Sequence, residues 1–453
     1  MTQRQRNDGL AGLLDEARWE TNRQFAAAVN RVGAEMGLTL HYDGSAVTHW
    51  LSGMMPHKKA RPAIIEALSR RLGRPVTSAE TGFGAPLLVG PEAPSYSGTD
   101  PIEGLIDTGR ADMDPSRRTV LATSLYAAAL PVPIFAELTK RERYQTSAGP
   151  TTRIGTGEVA TVRTMTERIA GILDELGGAH ARPMAAAFLV NTVTPWLKAG
   201  ASDAVRSGML AAASDLTYLL GWMAMYEKAH GLGQRYYVKA LELAAVAEDH
   251  VTYCRTLRGM ALQAANLKHA KKALELADSA AEAAPAAGPR LRAFLTGQQA
   301  HGAALVGDRR QAFVRLAETE SALSKADNRR DAIGGYDRAA YCFHVSSVLY
   351  ALGDVPGSVK AMQDSNRARP AVERQGRAHA NGLLAQRQLE MGHLEAACAT
   401  WNAFLNDYER LSSARADEHF TTMRRRLRPH RANRHVRDLT GRAQEIIRQK
   451  AVV

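Results

Sequence analysis

Apolar side chains recur at helical spacing through most of the chain. In TNRQFAAAVNRVGAEMGL (residues 21–38), Phe25, Ala26 and Val29 share one face, and Thr21 stands ahead of them as a cap. In SAVTHWLSG (residues 45–53), Val47, Trp50 and Leu51 fall at i, i+3 and i+4 and predict a core-facing stripe. Ser45, Thr48 and His49 then face outward, Asp43 or Ser45 caps the segment, and Gly53 ends it. A third amphipathic helix follows in RPAIIEALSRRLGRP, with Ile64, Ile65, Leu68 and Leu72 inward.

Beyond residue 214 one pattern returns. Leu220-Gly221 in one helix precedes Gly233, Tyr237 and Ala240 in the next, a small-large-small spacing of four and then three that puts the residues on one face. The spacing recurs as Ala270, Leu274, Ala277; as Ala312, Leu316, Thr319; as Ser358, Met362, Ser365; and as Ala397, Trp401, Phe404. Glycine turns precede three of these helices (LVGDRRQA, ALGDVPGS, EMGHLEAA), and the units begin near 214, 251, 293, 339 and 378. Gly-, Pro- and Ser-rich breaks interrupt the helical pattern at 82–101, 145–157 and 283–289. Long Val/Ile/Thr alternation is nearly absent, so the expected fold class is all-α. The stretch LATSLYAAALPVPIFAEL is diluted by Ser and Thr and broken by Pro131 and Pro133; it reads as a buried or interfacial helix, not a membrane span.

Composition adds less than pattern. Apolar residues make up 45% of the 453, enough for sizeable cores, and the three scattered cysteines, Cys254, Cys342 and Cys398, point to a reduced, cytoplasmic setting. The polar N-terminus lacks the apolar core of a signal peptide. The net charge of +12 is concentrated: 11 − 8 = +3 over residues 1–82, 12 − 4 = +8 over 410–453, and 35 − 34 = +1 elsewhere. That balance suits nucleic acid and equally suits an arginine-rich composition with no such role.

The first three helices resemble the lambda-repressor/Cro type of helix-turn-helix over residues 14–76: NRQFAAAVNRVG matches the first helix of the motif, SAVTHWLSGMMP the recognition helix and PAIIEALSRRLG the core helix that follows. The intervening VGAEMGLTLHYD is several residues longer than the family's turn. The resemblance implies binding of double-stranded DNA, with Ser45, Thr48 and His49 at base edges and Asn22, Arg23, Lys58, Lys59 and Arg61 at phosphates. The structural alternative is a fold of this type used only for protein contact.

From 214 to about 410 the chain resembles tetratricopeptide repeats, though periods of 37 to 46 exceed that family's length. Such repeats stack helix pairs because one pair cannot bury its apolar face alone. The whole resembles actinobacterial regulators of development and secondary metabolism with an N-terminal helix-turn-helix and C-terminal tetratricopeptide repeats. The expected division is a DNA-binding head (1–82), a linker (83–110), a helical middle region (111–205), a repeat domain (206–425) and a basic capping helix (426–453). The implied function is a homodimeric transcriptional repressor that senses a peptide or protein partner. The alternative is an adaptor acting on other regulators by protein contact. The concave lining expected from the repeat register is Tyr218, Trp222, Arg255, Gln263, His301, Ser347, His379 and Gln386, with Arg255 meeting a ligand carboxylate.

Other constellations favour structural readings. His250 and Cys254 are i, i+4 on one helix, and Cys342 with His344 or His393 with Cys398 could join them in a cluster, but structural zinc sites use tighter pairings and buried repeat residues are the favoured reading. GTGEVATV lacks the lysine and hydroxyl of a phosphate loop. In GGAHAR, His180 and Arg182 stand where an anion can approach a helix start, or where a capped corner turns. No nucleophile-base-acid set, cofactor motif or metal site is evident, so an enzyme is not expected.

Overall fold

A computed structural model describes residues 6–36, 38–74, 76–83, 100–114, 126–139, 152–283, 288–326 and 336–451. Among these the fold is all-α, with one isolated β-bridge between Arg153 and Gly200. No helix among them is long and apolar enough to cross a membrane.

The head comprises α1 (Asp8–Glu16), α2 (Asn22–Glu35), α3 (Gly44–Leu51) and α4 (Arg61–Leu72). Leu10 and Leu13 of α1, Phe25 and Val29 of α2, Val47 and Trp50 of α3, and Ile64 and Leu68 of α4 make one core. Ile65 and Leu72 are only half-buried at its margin.

Next come α5 (Pro101–Met113), the short α6 (Phe135–Thr139), α7 (Thr156–Leu176), α8 (Gly178–Phe188) and α9 (Thr194–Leu197), the last two joined by a π-turn. The expected linker is corrected at its C-terminal end. Asp100 caps a helix that starts on Pro101, the position where a missing N–H costs nothing, and Ile102, Leu105 and Ile106 bury against the neighbouring helices. Asp112 of α5 is tied to Arg182 of α8 and accepts from Tyr236 Oη at 3.0 Å. That ion pair makes GGAHAR a structural corner. Residues 84–99, the body of the expected linker, lie outside the described residues, as do 140–151 of the second loop.

Five helix pairs follow: α10 (Asp203–Tyr226) with α11 (His230–Val246), α12 (His250–Asn266) with α13 (Ala270–Glu282), α14 (Pro289–Leu305) with α15 (Arg309–Ser324), α16 (Arg338–Ala351) with α17 (Val355–Ala368), and α18 (Arg374–Glu390) with α19 (Leu394–Tyr408); α20 (Ala414–Leu427) then packs on α18 and α21 (Arg434–Ala451) on α19. The repeating small-large-small faces are buried between partners: Gly233, Tyr237 and Ala240; Ala312, Leu316 and Thr319; Ser358, Met362 and Ser365; Ala397, Trp401 and Phe404. In α13 the buried set is Ala273, Leu276, Ala277 and Ala280; of the expected triplet only Ala277 is in it, Ala270 being the first residue of the helix and Leu274 half-buried. The boundary expected between 425 and 426 falls inside α20, and α21 packs against α19. Its Val436, Leu439, Ala443 and Ile446 join the core beneath α19 while Arg434, Arg437 and Arg448 face out.

The row of pairs closes on itself. Ser412 N donates to Leu176 O at 2.8 Å, Ala179 N donates to Ser412 O at 3.2 Å, and Arg374 Nη1 donates to Glu175 O at 2.8 Å. Across the same seam Glu227 accepts from Ala414 N, Lys228 pairs with Glu418, and Arg415 lies over the Tyr226 ring. Gly177 makes the closure possible. It adopts φ +95°, and a Cβ there would stand 2.3 Å from Ser412 O.

Candidate functional site

The face of α3 is built from its first residue. Asp43 caps the helix, accepting from Ala46 N at 3.0 Å and from Ser45 Oγ at 2.6 Å, and the Ser45 bond leads in holding its carboxyl below the usual range. Val47 and Trp50 anchor the inner side; Trp50 meets Phe25 and Tyr42 edge-on. The long turn before α3 is fixed by Asn30, whose amide bonds both the N–H and the C=O of Tyr42 at 2.9 and 2.8 Å. Ser45, Thr48 and His49 are exposed, and Arg23, Lys58 and Lys59 stand exposed on the flanking segments. Asn22 is half-buried and donates to Thr48 Oγ1 at 3.3 Å, so it bridges the starts of α2 and α3.

Arg61 is corrected. Its guanidinium holds Pro56 O at 3.1 Å and Phe83 O at 3.3 Å, which fastens the ends of the head to α4 and turns its charge away from a phosphate-contacting role. Met54 and Met55, immediately after α3, are exposed.

A strap joins head to ring. Residues 126–134 are expected within a helix; instead they form a turn at 127–130 and irregular backbone through Pro131 and Pro133, with only α6 behind. Ala128 N donates to Glu66 Oε1 of α4 at 3.0 Å, and Arg70 of α4 reaches Tyr126 O. On the ring side Ala127 exchanges two hydrogen bonds with the Gln234 amide (2.8 and 2.9 Å), Tyr126 stacks on His269, and Phe135 stacks on His250. Glu66 also pairs with Arg70 at 2.7 Å, and burial pushes its carboxyl up.

Inside the ring half of the expected lining is placed differently. Tyr218 is buried among Trp222 and Tyr237. Gln263 is fully buried and donates to His230 O at 2.8 Å, because the register puts it beneath α11. Arg255 is paired with Asp215 at 2.9 Å and stacked on Tyr218, so it is already neutralised. Ser347 is buried and bonds to Phe343 O of its own helix. Trp222, His301, His379 and Gln386 keep accessible surface, the last two engaged with His419 at 2.8 and 3.0 Å.

The residue missed from sequence is Arg258, one turn beyond Arg255. Its guanidinium lies 4.0 Å from the Phe294 ring centroid and 5.4 Å from that of Trp222, spanning α10, α12 and α14. It is 6% exposed, and no carboxylate among the described residues pairs with it. Only the i, i+3 relation to Arg255 could have flagged it. His250 bonds to Ala283 O and Cys254 is buried; among the described residues no group of three or more His, Cys, Asp or Glu is placed to hold a metal ion.

A family model described as the SP15 N-terminal domain matches residues 10–84, the whole of the head. No curated protein matches the chain.

Proposed function

We propose that this chain is a transcriptional regulator, a repressor working as a homodimer, in which the head binds double-stranded DNA through α3 and the ring senses a peptide or protein partner. The observation that carries the reading is the composition of one surface. A short helix anchored by Val47 and Trp50 presents Ser45, Thr48 and His49, flanked by the exposed cations Arg23, Lys58 and Lys59. Small hydroxyls and an imidazole serve base edges, and the cations serve phosphates. The strap supports a link between ring and head, since Glu66, Tyr126 and Gln234 tie α4 to α11. Two heads on a two-fold axis would read paired half-sites.

The test is capture and sequencing of genomic fragments bound by the purified chain, followed by a salt titration on the recovered site. A shared motif and an affinity that falls steeply with salt are expected, because each phosphate contact releases counterions. Featureless recovery with a flat salt response would overturn it. The second reading, an adaptor that binds other regulators, draws on Met54 and Met55, whose exposed side chains behind α3 suit protein contact. Featureless recovery together with capture of a partner that Met55→Lys abolishes would favour it.

A further inference from the structure

We propose that the interior of the ring binds a carboxylate-bearing ligand, held by the guanidinium of Arg258 and the amide of Gln298, with its apolar body against the surrounding aromatic side chains. This deepens the sensor reading above and rests on it.

Arg258 is a buried cation without a counter-charge. Its Nε has no hydrogen-bond partner, and the groups that bear on it are the rings of Trp222 and Phe294 and the hydroxyls of Tyr218, Tyr226, Tyr237 and Tyr336. Asp215, the acid that α12 meets one turn away, is taken by Arg255. Cation–π contact offsets only part of the cost of burying a guanidinium, and a carboxylate returning two charge-assisted hydrogen bonds would supply the remainder.

The second observation is independent. Gln298 is fully buried, yet neither its Nε2 nor its Oε1 has a partner. Buried amides are satisfied almost everywhere in proteins, so one with both atoms idle marks a place where a polar ligand fits. Phe294, Gln298 and His301 fall at i, i+4 and i+7 of α14, on the same face, and Phe294 is the ring that covers Arg258.

The charge balance selects a monoanion. Burial, with the charges of Arg258 and Arg387 behind it, drives the His301 pKa down to about 4, and His344 is likewise held neutral. Arg387 is engaged by the hydroxyls of Ser346 and Ser358 and by the Tyr350 ring. Arg258, a cation that meets only rings and hydroxyls, suits a carboxylate beside an apolar group. A free small acid and the C-terminus of a short peptide share that chemistry.

Calorimetry and thermal melts of the full chain, without DNA, test this with four probes: phenylacetate, phenylacetamide, and the peptide Ala-Ala-Ala-Phe with a free or an amidated C-terminus. At least one of the two acids is expected to bind and raise Tm, with its amide at least tenfold weaker. Preference for phenylacetate identifies a free acid as the source; preference for the peptide acid identifies a peptide C-terminus. Arg258→Met is expected to weaken acid binding at least tenfold while keeping or raising the ligand-free Tm, and Gln298→Leu to weaken it in a fold that retains Arg258. Equal affinity for acid and amide, no acid bound at millimolar concentration, or unchanged binding in either variant overturns the proposal. Since DNA is absent, failure here leaves the head's DNA binding to stand or fall on its own test.

Discussion

Arg255 and Arg258 sit one turn apart on α12 and meet opposite fates: the first is paired with Asp215, the second faces only rings. Replacing Arg255 with Ala leaves Asp215 half-buried and unpaired, so a loss of about 2 kcal/mol is expected in urea unfolding. On the head the same logic separates neighbours by what they touch. Thr48 and His49 are exposed on α3, and Lys59 on the loop behind it. If α3 reads base edges as proposed, Thr48→Ala or His49→Ala weakens a specific site by about 1–3 kcal/mol and spares random DNA. Lys59→Ala weakens both alike and lowers the salt slope by about one. Competition binding at two salt concentrations distinguishes these outcomes. Arg61→Ala, by contrast, frees the carbonyls of Pro56 and Phe83, and its effect is expected on head stability.

At the scale of elements, the strap is the connection with consequences. It contributes almost no regular structure, yet it satisfies Glu66 and Arg70 on one side and Gln234 on the other. Gln234 is 1% exposed, so Gln234→Ala removes two hydrogen bonds from a sealed position and leaves the Ala127 groups unsatisfied. Faster amide exchange is expected over 126–134 and the last turns of α4, with α12 to α21 unaffected. Exchange confined to the site of substitution would mean the strap does not couple the two parts.

The closed ring gives the whole molecule a distinctive response to acid. Burial leads the depression of all six of the histidines concerned: His230, His269 and His301 to about 4, His419 to about 3, His344 and His379 well below their usual value. A histidine with a folded pKa below the unfolded value of about 6.5 takes its proton in the unfolded chain first. Its stability contribution is therefore full above that value and drains as pH falls toward 4. Glu227, pushed up to about 7, and Glu66, also pushed up, act in the opposite sense, because burial favours their protonated forms in the fold. Six groups outweigh two, so the melting temperature is expected to drop between pH 6.5 and pH 4.5. Glu227→Gln should raise it more at pH 8 than at pH 5, since only the ionised carboxylate is penalised at the seam. A flat melting curve across that range, read by circular dichroism, would show that these histidines are hydrated.

Local periodicity by itself determined the helices, the outward set Ser45, Thr48 and His49, and most of the repeating faces, because each depends on residues three and four apart. The cap at Asp43 and the turn at Gly53 were legible for the same reason. Tertiary structure decided what depends on partners distant in the chain. The pairing of Arg255 with Asp215 joins neighbouring first helices, the Asp112–Arg182 pair spans α5 and α8, and the Gly177–Ser412 closure joins residues more than two hundred positions apart. No spacing rule reports whether a cation has found its acid. Sequence could place Arg255, Gln263 and Ser347 on helices, but which of them met a neighbouring helix and which an open interior depended on the rotation of each pair against the next. The same rotation buried Arg258 and Gln298 without partners, and that is why the most distinctive chemistry of the ring had no signature in the order of its residues.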